Sequence, residues 1–172
     1  MRRRVRLERI GIILNLTRFA LLAAWLGAAL FFGAVVAPAA FGVVRSFGLP
    51  NASEIAGSIV TRTLGVINVA GFVIALLLLV TALLRRQASS RASWIIEFVC
   101  LAVIALTTAV GHWWIAARMR ALRMAMELPI DQISVSDPRR IEFNSLHGYS
   151  VKALGIAMIA GLVALVLMGR RH

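Results

Sequence analysis

Four long stretches of apolar residues follow one another along the chain, and the segments between them hold most of the charged residues. A helix needs roughly 20 apolar residues to cross about 30 Å of hydrocarbon. Residues 19–44, 63–84 and 94–117 reach that length, and 153–168 reach it if the polar lead-in from about Leu146 continues the same helix. The pattern predicts an all-α, four-helix transmembrane bundle in one integral membrane domain. We place the helices at about 12–44, 58–84, 93–127 and 138–169.

The segment between the third and fourth stretches predicts a helical hairpin that extends beyond the membrane. Good helix formers continue from Arg118 to Glu127, past the apolar part of helix three. Asp137 followed by Pro138 is typical of an N-cap and a proline at the first helical position. Helix four should therefore begin well before its apolar part. We expect an extended outer helical hairpin between helices 3 and 4, closed by residues 128–136.

The net charge is +12, and what it indicates depends on where the basic residues lie along the chain. They stand at the ends of the apolar stretches, which indicates membrane topology and contact with anionic lipid headgroups rather than nucleic acid. With the N-terminus inside, eleven of the nineteen basic residues fall on the cytoplasmic side. We therefore predict an integral protein of the bacterial inner membrane with both termini in the cytoplasm.

The start of the chain resembles a signal peptide, because arginines precede an apolar stretch and Ala37-Pro38-Ala39 looks like a cleavage site. The apolar stretch is longer than the usual roughly 7–15 residues, so we expect helix one to be retained. Proline removes a backbone hydrogen bond and clashes with the preceding turn. We therefore expect Pro38 to bend or end the helix.

One unusual residue of each helix lies at a similar level near the outer face when depth is calculated from helix rise. These residues are Pro38, Arg62, His112 and His147. His112 and His147 are candidates for binding a metal or a haem or for transferring protons, although interface histidines are the simpler interpretation. Arg62 is a candidate for binding an anion, against a snorkelling arginine. The candidate binding residues are His147, Ser150, His112, Arg62, Pro38, Phe41 and Phe143.

Polar residues at helical spacing predict which faces point into the bundle, since polar and small residues mediate helix packing in lipid. On helix three the expected interior face includes Glu97 and His112, and on helix four it includes His147 and Ser150. Asn68 is expected to form a helix–helix hydrogen bond. Glu97 is expected to form a salt bridge with an arginine at the cytoplasmic end, with a proton relay as the alternative. The expected partners are Arg85, Arg86 and Arg91.

Four segments together resemble a known family: LGAALFF at 26–32, VAPAAF at 36–41, EIAGSIVTR at 54–62 and FNSLHGYS at 143–150. Their order and spacing are similar to the domain-of-unknown-function family that includes the transmembrane-protein-205-like proteins. In that family a proline-phenylalanine signature ends helix one, an alanine-glycine motif opens helix two and a histidine-x-x-serine motif enters helix four. The chain departs from the pattern after the helix-two arginine, where Thr63-Leu64-Gly65 replace the aromatic residues of the family.

The resemblance implies four transmembrane helices and no established enzymatic activity. An animal relative is associated with resistance to platinum drugs, which implies export or trafficking. The sequence itself contains no P-loop, dinucleotide fingerprint, CxxC or HExxH motif and no nucleophile arrangement, so we predict no catalytic residues.

Three functions remain open on the sequence. The first is a binding or transport-associated component with a polar site in the outer half of the bundle, acting as a homo-oligomer or with a partner subunit. The second is a structural or assembly protein with no small ligand, because packing alone explains the small and polar faces. The third is a haem or copper redox protein, in which His112 and His147 would be the ligands. We expect no cofactor under the first two.

Overall fold

The computed structural model describes residues 2–84 and 90–170, with side chains described from residue 11 onward. Helix α1 is continuous through Arg2–Phe31, a π-helical turn at Phe32–Val36, and Ala37–Ser46. Helix α2 is Ala52–Leu84. Helix α3 comprises Arg91–Ala109, a π-helical turn at Val110–Ile115, and Ala116–Ala125. Helix α4 is Pro138–Gly169.

The four helices alternate in direction, and each is long and apolar enough to cross a membrane. The described part of the chain contains no strand, so the predicted all-α four-helix membrane bundle is confirmed. We call the end at which α1 begins and α4 ends the terminal end. The opposite end, where residues 126–137 connect α3 to α4, is the hairpin end.

Two helices begin earlier than the sequence pattern predicts. Helix α1 begins at Arg2 rather than about residue 12, because arginine and leucine are good helix formers even outside the apolar stretch. Helix α2 begins at Ala52 rather than about residue 58. Its first turn is held by the hairpin, since Ser53 N donates to Asp131 and Arg123 pairs with Glu54 at 2.5 Å.

Pro38 does not end helix α1, which continues to Ser46. In a regular helix the proline ring would clash with the carbonyl of Ala34, four residues back. The π-helical turn directly before Pro38 widens the backbone there, and Ala37 N donates to Phe32 O, five residues back. The helix ends instead before Gly48, whose φ of 64° is the left-handed conformation that favours glycine.

The hairpin between α3 and α4 has the predicted form. Asp137 caps α4 by accepting from the backbone N–H of Arg139 at 2.8 Å, and Pro138 follows at the first helical position. Hydrogen bonds from the Arg139 side chain hold the pKa of Asp137 down at about 2. Arg140 donates to the carbonyl of Ile133 and so ties the loop back to α4.

Two separate apolar clusters fill the bundle. The main core runs from the terminal end through the middle and continues along α1 and α2 toward the hairpin end. It includes Leu22, Trp25, Val60, Leu78, Leu101 and Ala157, with Phe41 packed against it. A smaller hairpin cluster lies between α3, α4 and the connecting loop. It consists of Ile115, Met119, Leu122, Met126, Ile133 and Leu146, with Phe143 packed against it.

Candidate functional site

A layer of polar and small residues separates the two apolar clusters on the side of α3 and α4. On α3 the main core ends at Ala105 and the hairpin cluster begins at Ile115. On α4 the main core reaches Leu154 and the hairpin cluster begins at Leu146. We call the residues in this gap, together with the neighbouring side chain of α2, the polar layer. Its members are Asn68, Thr108, His112 and Ser150.

His112 is the half-buried centre of the polar layer and lies within the π-helical turn of α3. That turn packs against both α2 and α4. The imidazole lies close to the α2 backbone, because a Cβ placed on Gly65 would be 3.7 Å from both Cε1 and Nδ1 of the ring. Nδ1 is buried and has no hydrogen-bond partner among the described residues. A buried ring nitrogen in this state is costly unless something bonds it.

The other polar side chains of the layer are more deeply buried. Asn68 is 5% exposed and lies against the α3 backbone, since a Cβ on Gly111 would be 3.1 Å from its Nδ2. Thr108 is 1% exposed and donates to the carbonyl of Ile104 at 2.6 Å, so its hydroxyl proton is used within its own helix. Ser150 is buried on α4. The layer offers amide, hydroxyl and imidazole groups and contains no carboxylate.

The structure brings together only part of the site expected from the sequence. His112 and Ser150 lie in the polar layer, Phe143 packs against the hairpin cluster and Phe41 against the main core. Pro38, Arg62 and His147 have exposed side chains.

The expected interior face of α4 is wrong at His147. The buried face of that helix passes through Leu146, Ser150 and Ala157, which turns His147 outward. From sequence alone, the face of α4 with His147 and the face with Leu146 could each be the buried one. In the structure Leu146 packs in the hairpin cluster, so its face is buried. On α3 the prediction is confirmed, because Glu97 is buried and His112 is half-buried on one face.

A second polar feature is a buried ion pair in the terminal half of the bundle. Arg18 Nη2 donates to Glu97 Oε1 at 2.5 Å, and the two side chains are only 3% and 1% exposed. Arg18 Nη2 also lies 3.4 Å from the carbonyl of Leu78, so the pair joins α1, α2 and α3. Glu97 and Leu78 are each six residues from the described end of their helix, which puts the pair about 9 Å inside the bundle.

Glu97 forms a salt bridge at this end, and its partner among the described residues is Arg18 of α1. The partners expected from the sequence are arginines of the α2–α3 link. Arg85 and Arg86 lie outside the described residues. The signal that would have found Arg18 is its place on the buried face of α1, where Leu22 and Trp25 follow at helical spacing.

Trp25 is a structural anchor that sequence inspection missed. Its indole Nε1 donates to the carbonyl of Ile67 at 3.0 Å, and the side chain is 4% exposed. Two glycines make room for the ring. A Cβ on Gly71 would be 2.5 Å from Nε1, and one on Gly161 would be 3.2 Å from Cζ3. Small residues thus allow three helices to close around one indole.

The histidines do not form part of a larger ligand cluster in the described part of the chain. No group of three or more His, Cys, Asp or Glu side chains that could hold a metal ion occurs there. Of the two predicted ligands, His112 lies in the interior and His147 on the surface.

Comparison with known proteins identifies a family without a known activity. Residues 20–127 match the family described as "Domain of unknown function (DUF4149)", and the chain belongs to that family. The match covers most of α1 and all of α2 and α3, and it includes Glu97 and His112 but not Arg18. No curated protein and no solved structure matches the chain.

Proposed function

We propose that this member of the DUF4149 family is a binding or transport-associated membrane protein whose site is the polar layer. The observation that carries the proposal is the buried Nδ1 of His112, which has no hydrogen-bond partner among the described residues. An ionisable group inside a membrane span is a candidate functional group because its placement there is costly. A bound solute or water that bonds this nitrogen would remove the cost.

The surroundings of His112 support a site rather than simple packing. π-Helical turns cost backbone hydrogen-bond geometry and occur frequently at functional sites. Glycine at residue 65 leaves room beside the ring, since a Cβ there would be 3.7 Å from two of its atoms. On the side of α3 and α4 the layer also interrupts the apolar packing, although continuous apolar contacts would be the simplest way to hold these helices together.

The chemistry of the layer indicates the class of ligand. Imidazole, amide and hydroxyl groups can each donate or accept a hydrogen bond, and no carboxylate is present to attract a cation. The proposed ligand is therefore a small polar solute held by hydrogen bonds. Arg62 and His147, being exposed, belong to the surface of the bundle and not to the proposed site.

Cysteine labelling tests whether the polar layer is open to water. In a Cys100→Ala background, Gly65→Cys places a thiol beside His112, where a Cβ has ordinary contact distances. We expect a water-soluble maleimide to label this thiol in proteoliposomes. The proposal predicts that a small polar solute that binds the layer slows the labelling.

Val66→Cys is the matched control, since it lies at the same depth but is 68% exposed on the outer surface of the bundle. In a bilayer that surface faces lipid, so the thiol at residue 66 should stay unlabelled. Equal labelling at both positions, or none at residue 65, would refute an interior polar site and favour the structural function.

We further infer that the hairpin end faces the outside of a bacterial inner membrane and that both termini are cytoplasmic. The support is the greater number of basic residues at the terminal end. In the Cys100→Ala background, a membrane-impermeant maleimide added to whole spheroplasts should label Ser134→Cys in the connecting loop and leave Ser90→Cys unlabelled until the membrane is opened. Both serines are exposed. The reverse labelling pattern would overturn the orientation.

The likeness to the transmembrane-protein-205-like proteins enters the proposal as support for export or trafficking. It rests on the motifs around Pro38, Arg62 and His147.

A structural or assembly function is the second candidate, and one observation favours it. Exposed small residues recur along one face of α1, with the exposed Phe31 and Pro38 between them, as in helices that pack against another chain in a membrane. These small residues are Ala20, Ala24, Gly27, Ala34 and Gly42. A haem or copper function would need His147 to act from the surface of the bundle.

A further inference from the structure

Helices α1 and α4 lie against each other in the terminal half of the bundle and separate toward the hairpin end. Leu26 of α1 lies against α4, since a Cβ on Gly161 would be 3.6 Å from its Cδ1. Gly33 follows on the same side of α1 at seven-residue spacing, yet a Cβ on it would meet nothing within 4 Å. From there on, Ala37–Ser46 packs against α2. The last part of α1 therefore leaves one side of α4 uncovered.

The uncovered side of α4 is the one that carries His147. Gly161, Leu154 and His147 follow one another at seven-residue spacing, so they share the side that faces α1. Leu154 is half-buried against the main core, and His147 is exposed. On α1 the exposed fraction rises from 6% at Leu26 to 51% at Leu30, one turn further on. We call the groove between the two helices the α1–α4 cleft. It is lined by Leu30, Gly33, His147 and Leu154.

We propose that the α1–α4 cleft binds an anionic phospholipid from the leaflet at the hairpin end. One acyl chain lies between Gly33 and Leu154, and the phosphate accepts a hydrogen bond from His147. The cleft is distinct from the polar layer, because its lining is exposed whereas the side chains of the layer are buried or half-buried. The inference therefore stands whether or not the polar layer binds a solute.

The depths of the lining residues fit a lipid molecule. The apolar part of α4 ends at Met168, and 21 residues separate it from His147. Helix rise converts this to about 31 Å, the thickness of the hydrocarbon layer. His147 is therefore at headgroup level, and Leu154 is about 10 Å deeper, in the hydrocarbon. A groove at that depth faces acyl chains rather than water.

The charge around the cleft favours an anionic head group. The sequence holds no acidic residue over 11–46 on α1 or over 143–169 on α4. The acid next to this stretch, Glu142, accepts two hydrogen bonds from an arginine of α3. Arg45 is exposed at the hairpin end of α1, and the imidazole of His147 supplies a hydrogen-bond donor. Basic residues at headgroup level attract anionic lipids, and no carboxylate of either helix opposes them here.

Fluorescence quenching by brominated lipids tests the site directly. In the Cys100→Ala background, Gly33→Cys carries a bimane label in the cleft, where a Cβ has open space. The protein is placed in phosphatidylcholine vesicles that contain a small fraction of brominated phosphatidylglycerol or of brominated phosphatidylcholine. We expect the anionic lipid to quench the label at about fivefold lower content than the neutral lipid, the preference that one arginine near an anionic lipid supplies.

Val35→Cys is the matched control on the same helix. It lies two residues from Gly33, is turned to the opposite side of α1 and is 48% exposed, so its label faces bulk lipid. The two brominated lipids should quench it equally. Equal quenching by the two lipids at residue 33 would overturn the proposal. Absence of quenching there would also overturn it, and would mean that a protein segment such as a helix of a second copy fills the cleft.

The double variant Arg45→Gln/His147→Gln tests the headgroup contacts. Both side chains are exposed, so the substitutions should leave the fold unchanged. We expect the preference for the anionic lipid at residue 33 to disappear, while quenching at residue 35 stays as it was. A preference that survives in this variant would refute a headgroup site at these residues. None of these outcomes depends on labelling at residue 65, which tests the polar layer separately.

Discussion

Gly71→Ala is expected to lower the free energy of unfolding by about 2–4 kcal/mol, because overpacking and a lost buried hydrogen bond add together. The new methyl group would lie 2.5 Å from Nε1 of Trp25 and 2.7 Å from its Cε2. Neither the backbone of α2 nor the buried indole can give way without separating α1 from α2. The hydrogen bond from Trp25 to Ile67 would break as the ring moves.

Helix α2 offers its own controls for this substitution. A Cβ on Gly65 meets only His112, at 3.7 Å, and a Cβ on Gly57 meets nothing within 4 Å. Alanine at either position should leave stability unchanged or raise it slightly, since alanine favours helix more than glycine. The measurement is the thermal unfolding midpoint in mild detergent. Trp25→Leu should partly restore the stability of Gly71→Ala, because it removes the indole. Equal losses of stability for alanine at residues 57, 65 and 71 would contradict this account.

The sequence predicted the features that depend on local composition. Apolar length located the four helices, and the Asp137–Pro138 pair located the start of α4, because a cap and its proline are read from adjacent residues. The boundary of α2 was misplaced by six residues, since its first turn is held by Arg123 and Asp131 from the hairpin. Contacts between segments that are distant in sequence cannot be predicted from local composition.

The candidate site was predictable only in part for the same reason. His112 was found because a histidine beside two tryptophans is conspicuous inside an apolar stretch, and His147 was misjudged because the facing helix decides which side of α4 is buried. Sequence alone places Arg18 at the membrane surface, since an arginine at the edge of an apolar stretch normally snorkels to the headgroups. The buried carboxylate of Glu97, 79 residues away in sequence, holds it inside instead.

Removal of either member of the ion pair should be among the most damaging single changes in the bundle. Glu97→Ala removes the carboxylate to which the buried Arg18 donates, and Arg18→Ala removes the guanidinium that donates to the buried Glu97. Breaking one side of a buried pair costs about 3–5 kcal/mol, because the remaining charge has lost its compensation. We expect each single variant to lower the unfolding midpoint in detergent sharply.

The apolar double variant Arg18→Met/Glu97→Leu should be far more stable than the sum of the single losses. Replacing a buried pair by apolar side chains of similar size is often neutral or stabilising, since the desolvation cost of both charges disappears. A double-mutant cycle through Arg18→Met and Glu97→Leu measures this coupling directly. Near-wild-type stability of the double variant would mean that the fold does not depend on the two charges themselves. Additive losses in the cycle would instead mean that the two residues act separately and that the pair is not a coupled unit.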